Sequence, residues 1–167
     1  MKQNVVEVIV YLLEIASSYP LEIKEGEIAP MVIKQRLEDA GFAKDVVVHA
    51  FDWLKELIER QRWYAQTKHP GTPTNKTLRI FSPGERIHLD LEVRNFILSL
   101  EYAGILDTNM REIIINQLMQ LDQLSIDLVD AKWVVLLVLM SKSNKNVQEL
   151  HRYLLAIWPE GYKEYLW

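Results

Sequence analysis

The sequence predicts an all-α protein, a helical bundle of about seven helices with one short extended segment near 77–81. Three observations carry that expectation. Apolar residues recur at helical spacing, most plainly at Val47, Phe51, Leu54 and Ile58, which stand at i, i+4, i+7 and i+11. Ser82-Pro83-Gly84-Glu85 is a complete helix-start signal: a capping serine, a proline at the first helical position and a glutamate placed to close a capping box. Turn residues fall between the periodic stretches rather than within them, as at Pro20, Gly26, Gly41, Pro70, Gly71, Pro73 and Gly104.

Element by element, the first helix is expected over Val5–Ser17, apolar around most of its circumference apart from Glu7 and Glu14, and therefore buried. Those two acids also argue against reading MKQNVVEVIVYLLEIASSYP as a secretory signal. The second helix spans Ala29–Ala40, with Pro30 in its first turn and Gly41 supplying the left-handed residue that ends it. The third begins near Ala43 or Lys44 and runs to about Gln66. His69-Pro70-Gly71-Thr72-Pro73-Thr74-Asn75 is a hinge-like loop. The fourth helix starts after Ser82 and continues without interruption to about Ala103, and Asp107 caps a fifth reaching about Leu121. A sixth opens on Ser125, Asp127 and Asp130 and contains the apolar run Trp133–Met140. That run fits a buried strand by periodicity, but carboxylates at its start suit the positive end of a helix dipole. The seventh starts at Asn144 or Asn146 and ends before Pro159.

A chain of 167 residues that is 49% apolar and 25% charged can bury a core as one domain, residues 1–167, without metal or disulfide staples. Its segments also suggest two similar three-helix halves, about 5–66 and 82–158, joined by the loop 67–81. There is no cysteine, which excludes disulfides, thiol nucleophiles and cysteine-based zinc sites and fits a cytoplasmic protein. The longest apolar run is the eight residues of Trp133–Met140, against about twenty for a membrane span, so no membrane association is expected.

Four stretches carry a family resemblance: Asp39-Ala40-Gly41-Phe42, Trp53-Leu54, Arg79-Ile80-Phe81-Ser82-Pro83, and Asp130-Ala131-Lys132-Trp133-Val134-Val135-Leu136-Leu137-Val138-Leu139. In this order and spacing the chain resembles the Smg family of small bacterial proteins. The resemblance implies a short, largely helical cytoplasmic protein, with no cofactor, no assigned catalytic residue and genes often beside those for DNA-processing and topoisomerase-type proteins. The match is weakest over Arg60–Leu78. A looser likeness, Leu37-x-x-x-Gly41-Phe42 followed by Val47, Ala50, Phe51 and Leu54, resembles the three-helix units of ubiquitin-associated domains and RecX recombination regulators. Both are binding modules, although many unrelated helical hairpins need the same turn.

No catalytic, cofactor-binding or metal site is expected. The pattern lacks a P-loop, H-E-x-x-H, G-x-S-x-G and G-x-G-x-x-G. Glu85 and His88 stand one helical turn apart, but a di-iron bundle needs a second such pair. Asp122, Asp127 and Asp130 miss the calcium-loop pattern and read as helix-start acids. A site dispersed over Asp45, His49, Glu85 and His88 is the third reading, which only geometry can test.

Two features stand out as binding candidates. Residues 60–86 hold six cations against Glu85, a net +5 that leaves −9 for the rest of a chain whose total is −4. Arg60, Arg62, Trp63, Lys68, Lys76, Arg79 and Arg86 are the candidate nucleic-acid contacts, since cations neutralise phosphates and aromatics stack on bases. The competing reading is a solvated helix end with its aromatics on the core. The tail offers Trp158, Tyr162, Tyr165 and Trp167, aromatic anchors for a partner protein or a second copy, or for the domain itself. The leading expectation is a non-enzymatic protein-interaction module, and the alternative a nucleic-acid accessory factor.

Overall fold

The structure is a computed structural model that describes residues 4–18, 30–66, 78–121, 123–142 and 147–159. Those residues form eight helices and no strand: α1 (Val5–Ser18), α2 (Pro30–Asp39), α3 (Lys44–Gln66), α4 (Pro83–His88), α5 (Leu91–Tyr102), α6 (Thr108–Met119), α7 (Leu128–Lys142) and α8 (Val147–Ile157). The protein is all-α, as expected. Its contacts cluster into two units, one running through Lys55 and the other from Glu56 onward, so the division falls inside α3. The tail residues Tyr162, Tyr165 and Trp167, and the loop cations Lys68 and Lys76, lie outside the described residues. No described helix is long and apolar enough to cross a membrane.

In the first unit, α1 buries Val5, Val6, Val8 and Ile9, and the Tyr11 and Phe42 rings meet at 5.6 Å. The end of α2 is a Schellman turn: Phe42 N–H donates to the Leu37 carbonyl and Gly41 N–H to that of Glu38. Gly41 takes φ +96°, a conformation that penalises a side chain. Leu37 and Phe42, which flank the turn, are both buried. The buried stripe of α3 is Val47, Ala50, Trp53 and Leu57. The expected stripe was rotated by about one residue, since Phe51 and Leu54 are half-buried and Ile58 is 56% exposed. Trp53, the large aromatic on this stripe, is 2% exposed, and its burial goes with the face that turns inward.

The second unit is arranged around α7, which contacts α5, α6 and α8. Residues 131–136, 138 and 139 are all buried, so α7 is enclosed on nearly every side and shows no clear apolar stripe. At its N-terminal end Asp127 accepts the Asp130 N–H, the helix-start role expected of it, while Asp130 lies in the first turn and Asp122 lies outside the described residues.

The one long fourth helix of the sequence reading is two helices. α4 ends at His88, Leu89 is extended, and Asp90 caps α5 by accepting the Val93 N–H at 2.9 Å. The break lets Leu89 form an isolated parallel bridge with Ile126, with Ile126 N–H donating to the His88 carbonyl at 2.9 Å. Both residues are fully buried. Two large side chains enter the core there, which an unbroken helix would have carried past each other. The segment 78–82 lies outside the helices, in line with the expected non-helical piece, but it forms no strand.

α5 ends in a second Schellman turn, with Gly104 at φ +73°, Ile105 N–H bound to the Leu100 carbonyl and Gly104 N–H to that of Glu101. The pattern Leu-x-x-x-Gly-apolar thus ends both α2 and α5. Beyond α8, Trp158 is 1% exposed and its ring lies 5.1 Å from that of Trp133. Trp158 is therefore not an outward anchor, and it belongs to the core of its own chain. The apolar surface of an indole outweighs the fraying of a chain end once a complementary ring is within reach.

Trp158→Ala is expected to lower the unfolding free energy by about 3–5 kcal/mol, the usual loss for a buried aromatic. Gly104→Ala should cost about 1–2 kcal/mol from backbone strain alone, because an added Cβ meets no atom within 4 Å. Urea denaturation of both variants checks the order. A Trp158→Ala loss smaller than that of Gly104→Ala would contradict the core assignment.

Candidate functional site

The charged centre of the second unit is built on Arg79. Its guanidinium has five N–H donors, and all five are used. Nε donates to Glu112 Oε1 at 3.1 Å and Nη2 to Glu112 Oε2 at 3.0 Å. Nη2 also donates to Glu85 Oε1 at 2.8 Å, and Nη1 to Glu85 Oε2 at 2.6 Å and to the Ile80 carbonyl at 3.1 Å. The side chain is only 14% exposed and lies 4.7 Å over the Phe81 ring. This corrects the expectation of an outward-facing cation at Arg79: no donor remains for a phosphate.

Glu85 has two roles. Its Oε2 accepts the Ser82 N–H at 2.8 Å while Ser82 Oγ accepts the Glu85 N–H at 3.3 Å, the capping box read from sequence. The same carboxylate holds Arg79. Glu112, on α6, links Arg79 to Arg111, whose Nε donates to Glu112 Oε1 at 2.9 Å. Arg111 Nη1 donates to both oxygens of Glu101, at 2.7 Å each. Hydrogen bonds from Arg79 hold the Glu85 carboxyl below the usual carboxylate range, against an opposing push from burial. Burial pushes Glu112 upward, but hydrogen bonds from Arg79 and Arg111 outweigh it, and the net direction is down. The Arg79 guanidinium is correspondingly harder to deprotonate. Carboxylates held ionised with their oxygens engaged are poor proton carriers at neutral pH.

Glu101, Arg111 and Glu112 had not been singled out from sequence. The available signal was the Arg111-Glu112 pair inside the apolar run of Met110 and Ile113–Ile115 on α6. A buried charge in such a helix needs a partner.

The second feature is a cleft of about 310 Å³ lined by Gln61, Tyr64 and Ala65 of α3, Asn109, Met110 and Ile113 of α6, and Val138 and Ser141 of α7. The Gln61 amide donates to Ser141 Oγ and to the Val138 carbonyl, which ties the C-terminal turns of α3 to α7. One turn earlier, Glu56 accepts from Arg60 at 2.8 Å and from Gln120 at 2.6 Å. Those two bonds, Arg60 first, lower the Glu56 pKa. Trp63, 55% exposed, stands edge-on to Tyr64 at 4.9 Å.

Of the remaining sequence candidates, Arg62 and Arg86 are exposed and enter no ion pair among the described residues. Asp45 and His49 are exposed on α3. His88 Nδ1 lies 3.0 Å from the Gly84 carbonyl, while Glu85 is turned to Arg79, so the E-x-x-H pair does not converge. Among the described residues no three His, Asp or Glu side chains gather as metal ligands.

The model of the family described as "Protein of unknown function (DUF494)" matches residues 5–157. Proteins termed "Protein Smg homolog" align over most of the chain. That of Alkalilimnicola ehrlichii is 38% identical over 143 residues, 85% of each chain. That of Methylococcus capsulatus is 37% identical over 147 residues, 88% of each.

The chain belongs to the Smg family.

The Smg homolog of Pseudoalteromonas atlantica aligns over 93% of this chain and 97% of its own length, at 32% identity. No solved structure matches the chain. The Smg stretch Arg79-Ile80-Phe81-Ser82-Pro83 now has a physical content: it places the guanidinium, its stacking ring and the helix cap that orients Glu85.

Because Glu85 and Glu112 have lowered pKa values in the folded state, their contribution is fully present above the ordinary glutamate value of about 4.3 and is lost as pH falls through the folded values. Stability is expected to drop on acidification from about pH 5 downward. Arg79→Met should remove about 1.5–3 kcal/mol at pH 7 and flatten that acid limb. Thermal unfolding between pH 3 and 7 tests it, and an unchanged slope in the variant would dissociate the cluster from acid sensitivity.

Proposed function

We propose that this Smg-family chain is a non-enzymatic protein-interaction module of the cytoplasm, and that the cleft between the end of α3, α6 and α7 receives an apolar side chain of another protein. The observation that carries this reading is the lining. Tyr64, Met110 and Ile113 supply an apolar wall, and Gln61, Asn109 and Ser141 supply polar groups around it. That is the composition of a recognition pocket. Ile58 and Trp63 are also exposed on this helix, and tryptophan is a favoured interface anchor. A non-enzymatic role is supported by the state of the carboxylates around Arg79, which are engaged and held ionised.

Nucleic-acid binding is the second reading, and exposed Arg62 beside Trp63, with Arg86, is the observation that favours it. It ranks below the first because Arg79 and Arg60 are engaged by carboxylates of the same chain, and phosphate affinity scales with the number of available cations.

A photo-crosslinking residue at Asn109, introduced in the native host, should yield one discrete protein adduct. Ser141→Trp, which fills the cleft, should reduce that adduct at least tenfold. A crosslinker at Asp45 should not give it. If Asn109 gives no protein adduct, or one that Ser141→Trp leaves intact, the cleft is not the docking site. A salt-sensitive gel shift of DNA or RNA that Arg62→Ala abolishes would favour the second reading.

A further inference from the structure

The last buried side chain of α3 is Leu57; the helix runs on through residues 58–66, every one of them exposed or half-buried. A helical stretch this short does not hold itself in water, because helical stability in proteins comes mostly from a packed face. This stretch has no buried face, and no basic residue in its last turn offsets the helix dipole. Its foot is secured where Leu57 is buried and Gln120 Nε2 donates to Glu56 Oε1. Further out, the Gln61 amide makes a polar tie to α7, to Ser141 Oγ and, at 3.4 Å, to the Val138 carbonyl. The second of these bonds is at the long limit for a hydrogen bond. Water can compete for both, since Ser141 is exposed and Gln61 half-buried.

The same stretch supplies Gln61, Tyr64 and Ala65 to the lining of the cleft. The apolar residues that α6 and α7 contribute, Met110, Ile113 and Val138, are buried. We infer that residues 58–66 of α3 are an arm that gates this cleft, with Leu57 as its pivot and Gln61 as its latch. The arm releases α7 and unwinds while α5, α6 and α7 stay packed, and its release removes one wall and gives access to Ile113 and Val138. Such openings arise where buried apolar contacts are few and backbone hydrogen bonds are exposed to solvent. The opening stands apart from the docking reading, whereas its role as a gate rests on it.

The chain has no cysteine, so a single introduced thiol reports the opening. Ile113→Cys places one in the cleft, and Ile115→Cys places a reference at a buried α6 position outside its lining. With Ellman's reagent under native conditions, the thiol at 113 should react at least tenfold faster than that at 115. Its rate should rise only weakly with urea, because a local opening exposes little surface, while the reference rate rises steeply. Adding Gln61→Ala should accelerate the reaction at 113 about fivefold, the effect of one lost hydrogen bond. Hydrogen exchange of the unsubstituted chain reads the same event if a cysteine variant fails to fold: amides 59–64 should be at least tenfold less protected than amides 114–118. A thiol at 113 as slow and as urea-dependent as the reference overturns the arm. So does a rate indifferent to Gln61→Ala, or equal protection of the two sets of amides. An arm that opens in a chain giving no protein adduct at Asn109 overturns the docking reading and the gate with it, but not the arm.

Discussion

Arg79 between Glu85 and Glu112 is the interaction from which the surroundings of α4 follow. Five hydrogen bonds leave this guanidinium one orientation, and that orientation fixes the segment 78–82, the cap of α4 and the approach of α6 at once. Lysine could not substitute, since a point charge with three donors cannot fork to two carboxylates and a carbonyl. The arrangement also solves a local electrostatic problem. Glu112 and Arg111 lie between Met110 and Ile113–Ile115 on α6, and removal from water favours the neutral carboxyl at Glu112. Two arginines reverse that preference. A cluster of this kind contributes less net stability than its bond count suggests, because each charge gives up hydration. Its larger effect is directional: it allows only one placement of α4 relative to α6.

The apolar part of the second unit depends on a different device. α7 is buried on nearly every side and so has no preferred face by which to choose its neighbours. The choice comes from the partners. α8 is followed directly by Trp158, which meets Trp133, and α5 starts only after Leu89 has been delivered to Ile126. The break at Leu89–Asp90 gives up continuous helical hydrogen bonding. It gains a cap at Asp90 and the burial of two aliphatic side chains, each worth about 1.5–3 kcal/mol, which exceeds the loss of one or two helical bonds at about 1 kcal/mol each.

What was legible in the sequence tracks whether the determining signal is local. The capping box at Ser82–Glu85, the asparate caps and the glycine ends of α2 and α5 depend on a few adjacent residues, and all of them appear where the residues place them. The helix break at Asp90 had a local signal too, an Asp three residues before Val93, but Leu89, Val93, Phe96 and Ile97 keep helical spacing through the break and conceal it. The rotated stripe of α3 shows the same effect: two stripes of comparable apolarity overlap on that helix, and burial of Trp53 decides between them. The Arg79 cluster was legible only in half. Glu85 lies six residues away in sequence, whereas Glu112 lies thirty-three residues away, and no pattern along the chain announces a pairing of that range.

The same distance explains why charge counted along a sequence misleads about charge presented to a partner. Residues 60–86 carry +5, a figure that treats every cation as available. Within the described part of that stretch, Arg79 is neutralised by Glu85 and by Glu112 from outside the segment, and Arg60 by Glu56, also outside it. Glu85 already offsets Arg79 within the count of +5, and counting Glu56 with Arg60 removes one of the five excess charges before solvent is considered. A carboxylate within 3 Å of a guanidinium leaves a dipole whose field falls faster with distance than that of a lone charge, and salt screens what remains beyond about 10 Å. The cations that still present a full charge are therefore those without such a partner. Among the described residues of the stretch these are Arg62, next in sequence to exposed Trp63, and Arg86, next to exposed Ile87. Charge at the edge and apolar surface at the centre is the arrangement of protein–protein interfaces, whereas a nucleic-acid surface concentrates its cations along the path of the phosphates.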